Sequence, residues 1–243
     1  MPHQFVNRPR LHALAGKELS LRSQFKWETA NAIIYILGGI LFISGSVLFF
    51  PAFEQRSNAG AWMFFAGSLF YLVVTAHDAI EITNYRRQLE HEPTIWDRVE
   101  AWSAACYLTG TLLFAGGSIF FLSWVARYDA GALCFIAGSS LFVLGATINV
   151  LQIVQASDMR ILQLMNLTAL NFVTGSVLFT VASVPYLFEF DDTQDERIVD
   201  GFLAAQFLIG SVLFLAGGIF SFRRAYLVVE RAIADGDASE TTV

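Results

Sequence analysis

Six stretches of this sequence contain no Lys, Arg, Asp or Glu: Thr29–Phe53, Ser57–His77, Ala101–Ala126, Ala130–Ser157, Ile161–Phe188 and Gly201–Phe222. Together they hold 150 of the 243 residues, so the 15 basic and 21 acidic side chains crowd into the remaining 93. Every run is 21 to 28 residues long and rich in Leu, Ile, Val, Phe and Ala. A helix rises about 1.5 Å per residue, so about 20 apolar residues cross a hydrocarbon core of roughly 30 Å. Lipid offers no partner to backbone amides, which leaves helices or a closed barrel. Barrel strands need only about 10 residues and alternate polar with apolar; these runs do neither. Charged residues make up 15% of the chain, against about 25% in soluble domains. A soluble globule and a disordered acidic chain are both excluded. The expected fold is an all-α, polytopic membrane protein with six transmembrane helices, centred near residues 32–53, 59–79, 103–125, 130–152, 167–188 and 202–222.

The basic residues orient it. Arg8, Arg10, Lys17, Arg22, Lys26, Arg86, Arg87, Arg98, Arg160, Arg223, Arg224 and Arg231 fall on one side, and Arg56, Arg127 and Arg197 on the other. Twelve against three places both termini in the cytoplasm. Residues 1–28 are polar and basic and lack the apolar core of a secretory signal, so the first span is expected to serve as an uncleaved anchor. Trp27, Trp62, Trp102 and Trp124 fall near span ends, where indole favours the headgroup region. Residues 17–27 are read either as a segment on the inner surface or as a partly ordered leader. The net charge of −6 is concentrated in the outward loop Glu189–Asp200. Its Asp191, Asp192, Asp195 and Glu196 lack the glycine turn and spacing of a calcium loop and read as a solvated segment, as does the tail from Ala234.

Within the apolar runs a pattern recurs. Gly38, Phe42, Gly45 and Ser46 return as Gly110, Phe114, Gly117 and Ser118, and again as Gly175, Phe179, Ala182 and Ser183. The even-numbered spans carry Gly138, Phe142 and Gly145, then Gly210, Phe214 and Gly217. Ala66-Gly67-Ser68-Leu69-Phe70 of the second span follows the start of this pattern, but Val73-Val74 replaces its second small pair. Small residues seven apart stack on one helix face and let backbones approach. We therefore assign helix packing to Gly38, Gly45, Gly110, Gly117, Gly138, Gly145, Gly210 and Gly217. The unit is a helical hairpin used three times, offset by 72 and then 65 residues. All three start on the same side, so they are parallel repeats about an axis along the membrane normal, and a pseudo-threefold ring is the simplest arrangement. The expected divisions are a cytoplasmic segment at 1–28, hairpins at 29–82, 83–157 (with its linker) and 158–224, the last divergent, and a cytoplasmic tail at 225–243.

The segment Trp27-Glu28-Thr29-Ala30-Asn31-Ala32, with Tyr35-Ile36-Leu37-Gly38-Gly39, Gly45-Ser46-Val47-Leu48-Phe49-Phe50-Pro51 and Gly60-Ala61-Trp62-Met63-Phe64-Phe65-Ala66-Gly67-Ser68, resembles the YrhK-like domain. That domain is a bacterial module of two membrane helices. The resemblance is best over residues 25–82, good over 100–154 and weak over 165–222. It implies a bacterial inner-membrane protein and supplies no catalytic residues.

Polar groups inside a membrane are costly, which makes them the first functional candidates. His77 and Asp78 close the second span, with Glu81 a turn beyond, and Asn149 and Gln152 close the fourth. A shift of 72 aligns His77, Asn149 and Ser221, and also Asn31 and Ser103. The candidate intramembrane polar site is thus His77, Asp78, Asn149, Gln152 and Asn31. In one reading they line an inward-facing vestibule where His77 or Asp78 exchanges protons or holds a cation. In the other they are interfacial groups, reached by water, that hydrogen-bond between helices. Cys106 and Cys134 lie inside spans and read as small apolar residues rather than a disulfide. His3, His12, His77 and His91 form no ligand spacing, and no phosphate loop, nucleophile elbow or haem motif occurs. No enzyme activity, metal or cofactor is expected, and nothing supports nucleic-acid binding. The expected partners are the lipid bilayer and either another copy or another membrane protein. The leading expectation is a helix-packing or assembly scaffold, with a small transporter or proton or cation channel as the alternative.

Overall fold

The computed structural model describes residues 20–89, 92–151, 158–188 and 193–240. It contains six α-helices: α1 (Leu21–Leu48), α2 (Ser57–Arg87), α3 (Ile95–Phe120), α4 (Tyr128–Leu151), α5 (Met159–Ser183) and α6 (Thr193–Glu240). All six are long and apolar enough to cross a membrane, and no strand occurs among the described residues. The protein is a multi-pass membrane protein.

Local chemistry sets the helix ends. Ser20 caps α1 by accepting from Ser23 N, so the helix begins at Leu21, before the charge-free run that starts at Thr29, and absorbs the described part of the basic leader. Pro51 opens a short 3₁₀ turn, Pro51–Arg56; α1 therefore stops at Leu48 rather than near residue 53. Thr94 and Asp97 form a reciprocal capping box at the start of α3, which satisfies two otherwise unpaired donors. The turn from α3 to α4 places Ala126 at φ 48°, a left-handed conformation that an alanine Cβ resists. The segment from Ala234 to Glu240, expected to be tail, continues α6 as helix.

Each helix packs on its neighbours in sequence, and α6 returns to pack on α1, closing a ring of three hairpins. The centre is aromatic. Phe42, Phe114 and Phe179, one from each hairpin's first helix, form a triangle with ring centroids 6.3, 5.4 and 6.5 Å apart. Phe64, Phe135 and Phe207, from the second helices, form another at 6.0, 6.2 and 6.0 Å. Within hairpins the two triangles meet as Phe42–Phe64, Phe114–Phe135 and Phe179–Phe207, at 5.1, 5.0 and 5.1 Å. This is the pseudo-threefold axis, filled by rings. Such contacts are worth about 0.5–1.5 kcal/mol per pair beyond burial. They matter here because lipid supplies no hydrophobic drive to bring helices together.

Inside and outside differ by shape rather than polarity. Ile33, Leu37 and Ile40 of α1 and Leu69 and Val73 of α2 face outward, as do Leu133 and Leu144 of α4, whereas glycine, serine and aromatic residues face in. The buried serines Ser46, Ser68, Ser118, Ser183 and Ser211 each donate to the carbonyl of a phenylalanine four residues earlier, at 2.7–2.8 Å. A hydroxyl with no water to reach is satisfied by its own helix.

Candidate functional site

The packing glycines act as seats for rings. A Cβ on Gly38 would lie 2.7 Å from the Tyr71 ring, on Gly45 2.6 Å from Phe64, on Gly110 2.6 Å from Phe142, and on Gly117 2.7 Å from Phe135. Gly138 faces Phe114, Gly145 faces Tyr107, Gly210 faces Phe179 and Gly217 faces Phe172, all at 2.6–2.8 Å. Each glycine thus receives an aromatic ring from the other helix of its own hairpin.

These contacts also give the register of the polar residues. A Cβ on Gly67, Gly138 or Gly210 would lie 3.0, 3.0 or 3.1 Å from the carbonyl oxygen of Gly38, Gly110 or Gly175 respectively. From α2 to α4 the equivalent shift is therefore 71, one less than between the first helices, because the first hairpin's connection is one residue longer. Asp78, Asn149 and Ser221 are the equivalent set, and His77, aligned with Asn149 and Ser221 by a uniform shift of 72, is displaced by one position. The next turn of α2 places Glu81 where α6 has Arg224.

At the end of the bundle where α1 begins and α6 leaves, these positions are buried, except that Asn149 is half-buried. Asn31 is 2% exposed, His77 6% and Asp78 1%. His77 Nδ1 lies 3.0 Å from Asn31 Nδ2 and 3.1 Å from Asn31 Oδ1. The amide can donate to a bare Nδ1 or accept from a protonated one, so it serves either imidazole tautomer. Trp27 packs edge-on against the His77 ring at 5.0 Å. In the second hairpin the clasp is Ser103, whose hydroxyl donates to Asn149 Oδ1 at 3.1 Å and to the Gly145 carbonyl at 3.2 Å. The third hairpin has no such bridge among the described residues, and its Thr168 donates to Leu164 O in its own helix. Gln152 lies outside the described residues, as do Asp191 and Asp192 of the acidic loop.

Sequence reasoning missed several members of this cluster. Glu81, already a candidate a turn beyond Asp78, is 1% exposed; the missed residues are Glu28, Glu100 and Arg224, at 2%, 5% and 5% exposed, and Arg224 interacts electrostatically with Glu28. The signal was present: a shift of 72 carries Glu28 onto Glu100. They are hard to see in the sequence because the end of a charge-free run looks like the edge of the dry interior. The bundle instead stays packed for one to two turns past it. Asp97, also buried, is occupied in capping α3 through Thr94 N at 2.8 Å and Thr94 Oγ1 at 2.6 Å.

Between this cluster and the phenylalanine triangles, Tyr35, Tyr71, Tyr107, Thr75 and Thr111 border a cavity of about 20 Å³. That is room for roughly one water. A second cavity of about 10 Å³ lies among Phe42, Phe114, Phe142, Phe179 and Phe214. No group of His, Cys, Asp or Glu suited to a metal ion occurs among the described residues, and Cys106 and Cys134 are free thiols.

Two segments of the chain, residues 26–82 and 97–154, match the family model described as YrhK-like protein. They cover the two hairpins in which a polar side chain of the first helix bonds one of the second. No curated protein matches the chain, and no solved structure does.

Proposed function

We propose that the chain, which matches the YrhK-like family over its first two hairpins, acts as a helix-packing scaffold in the bacterial inner membrane, with both termini in the cytoplasm. The observation that carries this reading is the filled axis. Two triangles of phenylalanine occupy the centre where a threefold bundle would place a pore. Mild extraction from native membranes is expected to recover the protein with another membrane protein or a second copy. A monodisperse, partner-free monomer would overturn the scaffold.

A second reading rests on the buried polar cluster. Intramembrane ionisable groups commonly mark proton or ion paths, and Glu28, Asp78, Glu81, Glu100, His77 and Arg224 gather at one end. In this reading the protein passes protons or small cations, and His77→Ala or Asp78→Asn abolishes the flux from loaded liposomes. Absence of flux in the wild type, or flux unchanged from wild type in both variants, excludes it.

A further inference from the structure

The lateral surface between the first two hairpins carries a groove of about 420 Å³, lined by Ala79, Ile82, Thr83, Ala101, Ala104, Ala105 and Leu108, with Arg86, Arg87 and Pro93 at its mouth. The repeat explains why it exists here. On the outward face of α3, Ala101 and Ala105 stand where α1 has Thr29 and Ile33 and where α5 has Asn166 and Leu170. Ile33 and Leu170 are 55% and 64% exposed, so in the other hairpins a branched side chain occupies the space that Ala105 leaves open.

Depth along the membrane follows from the same helices. Trp102, 69% exposed beside Ala101, marks the headgroup level. Leu108 lies six residues further in than Trp102, about 9 Å at 1.5 Å per residue. The floor over that length is alanine, isoleucine and leucine, and the hydroxyl of Thr83 is turned back onto the Ala79 carbonyl at 2.7 Å. Arg86 and Arg87 are both exposed, and no carboxylate lines the groove among the described residues. An apolar slot with paired guanidinium groups at its mouth matches a lipid with an acyl chain and an anionic phosphate, which arginine binds with paired N–H donors.

We propose that this groove holds one anionic phospholipid, its phosphate on Arg86 and Arg87 and one acyl chain along Ala101, Ala105 and Leu108. The test is native mass spectrometry of the purified full chain, titrated with phosphatidylglycerol or with phosphatidylcholine of the same acyl chains. Wild type is expected to bind the first equivalent of phosphatidylglycerol at least tenfold more tightly than phosphatidylcholine. Arg86→Gln with Arg87→Gln should erase that preference. Ala105→Leu, which installs the side chain α5 already carries, should weaken the first phosphatidylglycerol at least fivefold without lowering thermal stability. Equal binding of the two lipids by wild type overturns the proposal. So does wild-type phosphatidylglycerol affinity in either variant, or displacement of the lipid by inorganic phosphate alone. Should Ala105→Leu fail to fold, the arginine pair decides.

Discussion

Replacing Gly218 by alanine should loosen the seam where the last helix closes on the first. A methyl there would overlap Cδ1 and Cε1 of Tyr35, and that ring is held by its neighbours. Although a cavity of about 20 Å³ borders it, turning would cost its contacts: it stacks on Tyr71 with centroids 4.3 Å apart and planes 9° apart, lies edge-on to Phe172 at 6.5 Å, and donates its hydroxyl to the Phe214 carbonyl at 2.8 Å. The helices must therefore separate. Overpacking of this kind costs about 1–3 kcal/mol, and a lost buried hydrogen bond about 0.5–1.5 kcal/mol more. A total of about 1.5–4.5 kcal/mol corresponds to a roughly 10- to 1,600-fold rise in the unfolding constant. The assay is SDS titration of the purified protein in mild detergent, followed by near-ultraviolet circular dichroism. Gly116→Ala is the control, because a Cβ there meets nothing within 4 Å, and helix propensity alone should make it neutral or stabilising by up to about 1 kcal/mol. Combining Tyr35→Ala with Gly218→Ala should cost at least about 1 kcal/mol less than the sum of the single changes. If Gly218→Ala behaves like Gly116→Ala, or the pair is strictly additive, the argument from the seam fails.

Phe179→Ala, at the meeting point of the two triangles, should destabilise by about 3–5 kcal/mol in the same titration, whereas Phe188→Ala, at a side chain 65% exposed, should change little. Arg224→Met removes a buried cation close to Glu28 and is expected to cost about 3–5 kcal/mol; adding Glu28→Gln should recover part of that loss. Ala126→Gly should stabilise by about 1 kcal/mol, since it relieves a left-handed alanine, and a fall in stability would show that the turn is set by something else. Reporters fused at either terminus should be active only on the cytoplasmic side.

The apolar runs located all six helices, because a chain that must pair its backbone in lipid has few alternatives. Their ends were less legible. Pro51 and Ser20 moved the boundaries of α1 through local hydrogen-bond chemistry that hydropathy does not register. The candidate site was half legible. His77, Asp78, Asn31 and Asn149 stood out as polar exceptions in apolar runs, whereas Glu28, Glu100 and Arg224 lay among other charges and looked like surface residues. Which charges are buried depends on how far the bundle extends past the apolar runs, a property of helices packed together.

The crowding of charge into short connections, the three hairpins and the small residues at seven-residue spacing belong to the sequence by itself. What only the tertiary structure decided is which apolar side chains face lipid and which face the axis. Both environments are apolar, so hydropathy cannot separate Leu37 from Phe42. Packing geometry separates them, because an aromatic ring on the axis requires a glycine opposite, as Phe114 requires Gly138. The same packing corrected the repeat by one residue, aligned Asp78 with Asn149 and Ser221, and joined Asn31 to His77 across 46 positions of chain.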